Sequence, residues 1–187
     1  MQYFRKIPLD LSMVDMNLIR GGQPQEGYGD TYRSYHIRDR EYFLELCAAR
    51  IRFKIPPDGV NYTEITDHGT VPHRDESKSA LNYYVNTADA VTAFWEPKDP
   101  DYHGDVIARL DPDGKLRKST AVSYDEKKLK IAGCFFARPH TAYLLRTSAI
   151  HSVKKFNSPH QRQFFRWMWR DLEFQDLLDN IEILTVD

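Results

Sequence analysis

Three side chains that bind metal ions stand at an informative spacing in this chain of 187 residues. His73 and Asp75 are two positions apart, and His151 lies far downstream. Residues i and i+2 of a strand point to the same side, about 7 Å apart, so both side chains can reach one ion. Two imidazoles and a carboxylate can occupy one face of an octahedral ion, a mixed set that suits Fe(II) or Mn(II) better than a structural zinc. The sequence therefore predicts a metal centre of His73, Asp75 and His151.

An arginine near the third ligand suggests what else this centre binds. Arg162 follows His151 by eleven positions and lies next to a strand-like run. A guanidinium fork can meet a carboxylate with two parallel hydrogen bonds. We expect Arg162 to anchor the carboxylate of an organic acid that also contacts the ion.

A second His-x-Asp pair, His103 and Asp105, offers a rival centre in which His140 would be the third ligand. The first pair is favoured by its context, because it precedes two runs of strongly β-like residues. His103, in contrast, follows a charged stretch over residues 96–101 that is typical of a loop.

The elements that must position these residues are mostly short strands. Apolar residues recur at helical spacing over 39–50, with Asp39 as a cap, and a final short helix is expected over 171–180. After an opening strand over 3–7 the first 37 residues look irregular, with a loop over 21–29, and a turn is expected over 69–72. The other β-like runs are 51–55, 62–66, 80–85, 91–95, 105–110, 131–136, 141–146 and 163–169. Such spacing favours an antiparallel sandwich or barrel over parallel βαβ units.

Composition narrows the class of protein. A length of 187 residues favours one domain with a core, and 41% hydrophobic residues fit a globular protein. A net charge of −1 provides no basic excess for a nucleic-acid backbone. Two cysteines provide no disulfide framework. With neither an apolar leader nor a run of about 20 apolar residues, we expect a cytoplasmic protein without a membrane anchor.

Longer segments around the predicted ligands carry a family resemblance. They are Pro72-His73-Arg74-Asp75, the runs 79–86 and 91–96, and Ile150-His151-Ser152-Val153 with Arg162 after it. Together they resemble the Fe(II)- and 2-oxoglutarate-dependent dioxygenases, in the small single-domain branch that includes prolyl-hydroxylase-like enzymes. The likeness covers roughly residues 62–169.

The resemblance implies a fold. We expect a mainly β double-stranded β-helix, that is, a cupin-like jelly roll, with one or two flanking helices. Residues 61–170 would form the jelly-roll core of a single oxygenase domain over 1–187. Residues 1–60 would be its N-terminal strand and helix support, and 171–187 a C-terminal extension.

The resemblance also implies roles for single residues. His73, Asp75 and His151 would hold Fe(II), and Arg162 would pair with the far carboxylate of 2-oxoglutarate. Many relatives carry Ser or Thr two positions after that arginine, where this chain has Phe164, so a hydroxyl elsewhere would compensate or the cosubstrate differs. Asn82 and Tyr84 lie on one face of their strand and Tyr83 lies on the other. Whichever face points inward, a polar side chain therefore reaches the cavity. The cosubstrate contacts to consider are Asn82, Tyr83, Ser79 and Tyr143, with Arg146 and Arg166 as alternative anchors.

The implied activity is hydroxylation, with O2 and 2-oxoglutarate as partners and ascorbate as reductant. Retention of Asp75 favours hydroxylation, or demethylation through a hydroxylated intermediate, since halogenating relatives lack this carboxylate. The expected substrate is a peptide prolyl-type residue or a small molecule. The alternative is a cupin-like metal-binding module, non-catalytic or independent of a cosubstrate, to which His68 or His140 could add a ligand.

Overall fold

The protein is described from a computed structural model over residues 2–19, 26–28, 32–66, 69–110, 116–155 and 160–184. The described residues form fifteen strands: β1 Phe4–Ile7, β2 Glu26–Tyr28, β3 Tyr32–Tyr35, β4 Ile51–Phe53, β5 Gly59–Ile65, β6 Thr70–Arg74, β7 Ser79–Asn86, β8 Ala90–Pro97, β9 Asp105–Leu110, β10 Leu116–Ser123, β11 Leu129–Phe136, β12 Thr141–Leu145, β13 Ile150–Lys155, β14 Arg162–Trp169 and β15 Ile181–Ile183. The helices are α1 Met16–Ile19, α2 Arg40–Ala48 and α3 Phe174–Asn180, with a 3-10 turn over Glu126–Lys128. In these ranges no helix has the length and apolar character needed to cross a membrane.

The strands form two large antiparallel sheets. The seven-stranded sheet has the order β1-β12-β7-β14-β5-β3-β2, and the six-stranded sheet has the order β11-β8-β13-β6-β10-β9. Successive strands from β5 to β8 alternate between the two sheets, and so do β11 to β14. This winding is a double-stranded β-helix with the β9–β10 hairpin inserted, so the predicted jelly-roll fold is confirmed.

The seven-stranded sheet is buried on both faces. Along β14, Phe164 packs between the sheets in one cluster with Phe94 of β8, whereas Phe165 and Trp167 belong to a second cluster on the outer face. Because successive side chains of a strand point to opposite faces, one strand supplies both clusters. Polar side chains are unfavourable in a space that is covered by both sheets. The two arginines of β14 that face this space, Arg162 and Arg166, therefore point to a functional role.

The predicted helix over residues 39–50 is confirmed as α2. The side chain of Asp39 accepts a hydrogen bond from the backbone N–H of Tyr42 at 3.0 Å, which is a helix N-cap. Phe43 and Cys47 are buried, and the Phe43 ring lies 4.6 Å from that of Phe165 between centroids. The helix therefore covers the outer face of the seven-stranded sheet. The second predicted helix is confirmed as α3.

Two local predictions were wrong. The turn expected over 69–72 is instead mostly the start of β6, because Thr70 lies opposite Val153 of β13 and the carbonyl of Pro72 accepts a hydrogen bond from the N–H of Tyr124. The region expected to be irregular contains β3, which pairs with β5, and part of the loop expected over 21–29 is β2. Residues 21–25 and 29 of the expected loop lie outside the described residues. Pairing across the sheet outweighed local composition in both segments.

Gly69 provides a test of how β6 enters the sheet. Its φ is +74°, and a Cβ at this position would lie 2.1 Å from the carbonyl oxygen of Val153. We expect Gly69→Ala to lower the free energy of unfolding by about 2–4 kcal/mol, since strain and overlap add. The matched control is Gly133→Ala, where the new methyl would make an ordinary contact 3.6 Å from Tyr3. Urea denaturation gives the free energy of unfolding of both variants. Equal values would contradict the close approach of Gly69 to Val153 at the start of β6.

The two cysteines test the packing of α2. Burial raises the pKa of the Cys47 thiol to about 12, whereas Cys134 is exposed. At a pH of about 8 we expect a disulfide reagent such as DTNB to modify one thiol per native chain, because the thiolate is the reacting form. Cys47 should react only after denaturation. Rapid modification of both thiols in the native protein would show that the face of α2 that carries Cys47 is not packed against the sheet.

Candidate metal centre

The pairing of β6 with β13 brings two histidines together. His73 stands directly opposite His151 in the register, and their ring centroids are 4.4 Å apart. Asp75 follows the end of β6, where its backbone N–H donates to the carbonyl of Thr147 at 3.1 Å. This hydrogen bond turns the chain so that the Asp75 carboxylate reaches both rings, at 3.4 Å from Nε2 of His73 and 3.5 Å from Nε2 of His151.

Each imidazole is oriented by the backbone carbonyl two positions before it in the chain. Nδ1 of His73 donates to the carbonyl of Val71 at 2.7 Å, and Nδ1 of His151 donates to the carbonyl of Ala149 at 3.0 Å. A carbonyl oxygen only accepts, so Nδ1 carries a proton, and in the neutral imidazole Nε2 then keeps its lone pair for a metal. Metal-ligating histidines are commonly oriented in this way.

The three ligand atoms fit a divalent ion. All lie within 4.8 Å of one another, and among the described residues no other group of three His, Cys, Asp or Glu side chains meets this spacing. An octahedral ion at about 2.1 Å from its ligands separates neighbouring ligands by about 3 Å, so small shifts of the side chains would complete the coordination. Two neutral imidazole nitrogens and one carboxylate suit Fe(II) or Mn(II).

The charges around the centre favour a negatively charged Asp75. Burial opposes ionisation, but Arg166 and the two imidazoles outweigh it and hold the pKa of Asp75 well below its usual range. Nη2 of Arg166 donates directly to Oδ2 of this carboxylate. Burial and the neighbouring His73 lower the pKa of His151, which favours the neutral imidazole that a metal requires.

A cavity of about 360 Å³ joins the three ligands to Arg162. Its walls include His73, Asp75 and His151 at one part and Arg162 at another. Apolar residues complete it, among them Ile65, Leu145, Val153 and Phe164. The structure therefore brings the three predicted ligands and the predicted anchor to the walls of one cavity.

Arg162 is the most unusual residue in this cavity. It has no exposed surface, its Nη2 donates to Oγ1 of Thr92 at 2.9 Å, and its guanidinium lies 4.4 Å from the ring centroid of Tyr84. Nε and Nη1 have no hydrogen-bond partner among the described residues. Burial lowers the pKa of Arg162. A buried cation with unused donors is costly unless an anion pairs with it, so this site has the chemistry of an anion-binding site.

The strand β7 contributes through Asn82 and Tyr84. Both line the cavity, and Nδ2 of Asn82 donates to the Tyr84 hydroxyl at 3.4 Å. Oδ1 of Asn82 is buried and has no partner in the described part of the chain. Tyr83 faces the outer side of the sheet, where its hydroxyl accepts a hydrogen bond from the N–H of Leu11 at 3.0 Å. Tyr83 is therefore not among the residues that the structure brings to the cavity.

The other predicted cosubstrate contacts lie elsewhere, with one exception. Ser79 donates to the carbonyl of Leu172, Tyr143 stacks on Phe135, and Arg146 lies over the ring of Phe174. Arg166 is the exception, because it lines the cavity and pairs with Asp75. From the sequence, Arg166 was expected only as an alternative anchor of the cosubstrate. The signal that could have identified it is its even spacing from Arg162 on β14, which gives both arginines the same face.

The rival centre does not form. His103, Asp105 and His140 are not brought together, and His140 lies beside Tyr83, with 6.4 Å between the ring centroids. His68, considered as an additional ligand, lies outside the described residues.

Comparisons with known proteins give weak similarities. No protein-family model matches the chain, and no curated protein sequence is similar enough to count as a match. E. coli ycfD is 12% identical, with a TM-score of 0.31. The match covers 74% of this chain and 31% of the ycfD chain. Protein SO0799 from Shewanella oneidensis is 12% identical with a TM-score of 0.29, over 72% of this chain and 73% of that chain. The non-heme alpha-ketoglutarate-dependent carbocyclase SnoK from nogalamycin biosynthesis is 11% identical with a TM-score of 0.39, over 88% of this chain and 81% of that chain. Similarities of this size carry no argument, so the functional conclusions rest on the chain's own residues.

Loss of any one ligand should weaken metal binding. We expect one Mn(II) or Fe(II) per native chain by anaerobic titration calorimetry, and at least about tenfold weaker binding in His73→Ala, Asp75→Ala and His151→Ala, since each removes one of three ligands. Circular dichroism of each variant checks that it folds.

The control for this titration is His103→Ala, which removes a histidine of the rival centre and should bind metal like the native protein. A loss of affinity in His103→Ala with none in His73→Ala would overturn the assignment of the centre.

Proposed function

We propose that the protein is an Fe(II)- and 2-oxoglutarate-dependent oxygenase that hydroxylates its substrate. The observation that carries this proposal is Arg162, a fully buried guanidinium with two unpartnered nitrogens in the same cavity as His73, Asp75 and His151. A metal centre alone requires no buried cation near it. A dicarboxylic acid with one end at the metal and the other at Arg162 accounts for both features.

The chain's own residues would prepare the cavity for this cosubstrate. Thr92 and Tyr84 hold the Arg162 guanidinium in place, which leaves its Nε and Nη1 to donate to a carboxylate. Phe164, at the position where many relatives have a hydroxyl, lies against Tyr84 with 5.3 Å between ring centroids. The hydroxyl of Tyr84 and the amide of Asn82 are polar groups of the same wall. They would supply the contact that the resemblance assigns to a Ser or Thr.

The metal ligands would keep one face of the ion open. His73, His151 and Asp75 supply three ligand atoms, and the remaining positions would face the cavity. Bound iron and 2-oxoglutarate would supply the oxidising chemistry, in which O2 is consumed and the cosubstrate is decarboxylated. Apolar walls from Ile65, Leu145 and Val153 would exclude water from this space. Ascorbate would serve as the reductant in the assay.

The alternative, a cupin-like module that binds a metal without a cosubstrate, is less well supported. Such a module commonly has more histidine ligands, and in the described residues the centre has two. It also provides no role for the buried charge of Arg162.

Succinate formation tests the proposal. Purified protein with Fe(II), ascorbate and 2-oxoglutarate should produce succinate, and Asp75→Ala should not. Arg162→Met should raise the KM for 2-oxoglutarate by at least about thirtyfold, because removal of one member of a buried charge pair costs about 2–5 kcal/mol. Arg162→Lys, which keeps the charge and loses the fork, should give an intermediate KM.

The matched control is Arg52→Met, which removes an exposed arginine paired with Glu182 at 3.2 Å in another sheet. It should leave the KM unchanged. The proposal fails if the iron-loaded native protein binds no 2-oxoglutarate, measured anaerobically as the absence of a visible charge-transfer band.

A further inference from the structure

A second buried arginine stands between two cavities. A polar cavity of about 530 Å³ adjoins the one that holds Arg162, and Tyr32, Asp75 and Arg166 line both. We call these the anchor cavity, which contains Arg162, and the outer cavity. Most of the outer cavity is lined by polar and charged side chains, among them His36, Arg40, Asn61, Ser77 and Arg170. Asp75 is therefore reached from both cavities, and Arg166 borders both, whereas Arg162 borders only the anchor cavity.

Arg166 has few partners for a buried cation. It is 8% exposed, its Nη2 contacts Oδ2 of Asp75, and its Nε has no hydrogen-bond partner among the described residues. In the sheet it lies opposite Asn61 of β5 and Asn82 of β7, which carry no charge. Its ion pair is thus with a carboxylate that is also a candidate metal ligand. A divalent ion on Asp75 would compete for that negative charge and weaken its attraction for Arg166.

The charges of the two cavities do not balance. Lys154 pairs with Glu126 at the rim of the anchor cavity. At the rim of the outer cavity Arg40 and Arg170 are matched in number by Asp58 and Glu76. Among the described residues, the charged groups in the interior of the cavities are two guanidiniums, Arg162 and Arg166, and the single carboxylate of Asp75, which leaves one net positive charge. A divalent ion and a doubly charged 2-oxoglutarate cancel each other, so the excess charge remains in the loaded site.

We propose that the substrate is a small organic acid whose carboxylate pairs with Arg166 from the outer cavity, beside the metal centre. Burial of an uncompensated charge is unfavourable, and a carboxylate matches the planar fork of a guanidinium. Arg166 would then determine substrate specificity and fix the distance of the substrate from the metal. This inference rests on the proposed function for the roles of metal and cosubstrate, but carboxylate binding at Arg166 can be measured without turnover.

The test uses matched pairs of an acid and its neutral amide. The protein is loaded with Zn(II) and saturated with 2-oxoglutarate, so that no turnover occurs. Titration calorimetry then compares the binding of 3-phenylpropanoate with that of 3-phenylpropanamide, and of hexanoate with that of hexanamide. We expect the carboxylate of at least one pair to bind tenfold or more tightly than its amide. Arg166→Met should abolish the preference, and Arg166→Lys should retain part of it, because the charge persists without the fork.

A matched control locates the effect. Arg52→Met removes an exposed arginine that lines neither cavity and should keep the full preference. Circular dichroism checks that each variant folds, and Arg166→Lys keeps the test decisive if Arg166→Met does not fold.

The outcomes separate this inference from the proposed function. Equal binding of acids and amides by the native protein, or an unchanged preference in the Arg166 variants, would overturn the organic-acid proposal even if 2-oxoglutarate binds. An Arg166-dependent preference without any 2-oxoglutarate binding would confirm the carboxylate site and refute the oxygenase proposal.

Discussion

The register between β6 and β13 is the constraint on which the site depends. His73 lies opposite His151 only in this register, and a slip by one residue would turn one imidazole to the other face of the sheet. The register is held from both sides, since β13 also pairs with β8 and β6 also pairs with β10. The Thr70 hydroxyl accepts a hydrogen bond from the N–H of Val153 at 2.9 Å and bridges the irregular part of the pairing. The winding of the jelly roll therefore builds the metal centre from segments far apart in the chain.

The interior between the sheets is not an ordinary apolar core. Phe94, Phe164 and Tyr84 fill part of it, but Arg162 and Arg166 project from the same strand into the remaining space. Their unpartnered nitrogens reduce stability in the absence of an anion, and such costs are typical of functional sites. The fold can tolerate them because the outer face of the same sheet is packed with aromatic residues beneath α2 and α3. Stability and binding are thus assigned to opposite faces of one sheet.

The sequence allowed most of the fold to be predicted, and part of the site. The strands β7, β8 and β14 were recognisable because aromatic and β-branched residues fill both of their faces. The segment that carries His73 was not, since Gly-Thr-Val-Pro favours a turn until neighbouring strands extend it. The i, i+2 spacing identified His73 and Asp75, although Asp75 lies just beyond the strand. Tertiary contacts, which no local pattern encodes, determine which face of β7 points inward. They also determine that Arg166 pairs with Asp75, 91 positions away in the chain.

Anomalous diffraction from anaerobic crystals of the Fe(II)-loaded protein tests the central claim most directly. We expect one strong iron peak within bonding distance of Nε2 of His73, Nε2 of His151 and a carboxylate oxygen of Asp75, on the wall of the cavity that contains Arg162. An iron peak at His103 or His140, or imidazoles of His73 and His151 that do not share an ion, would contradict the account.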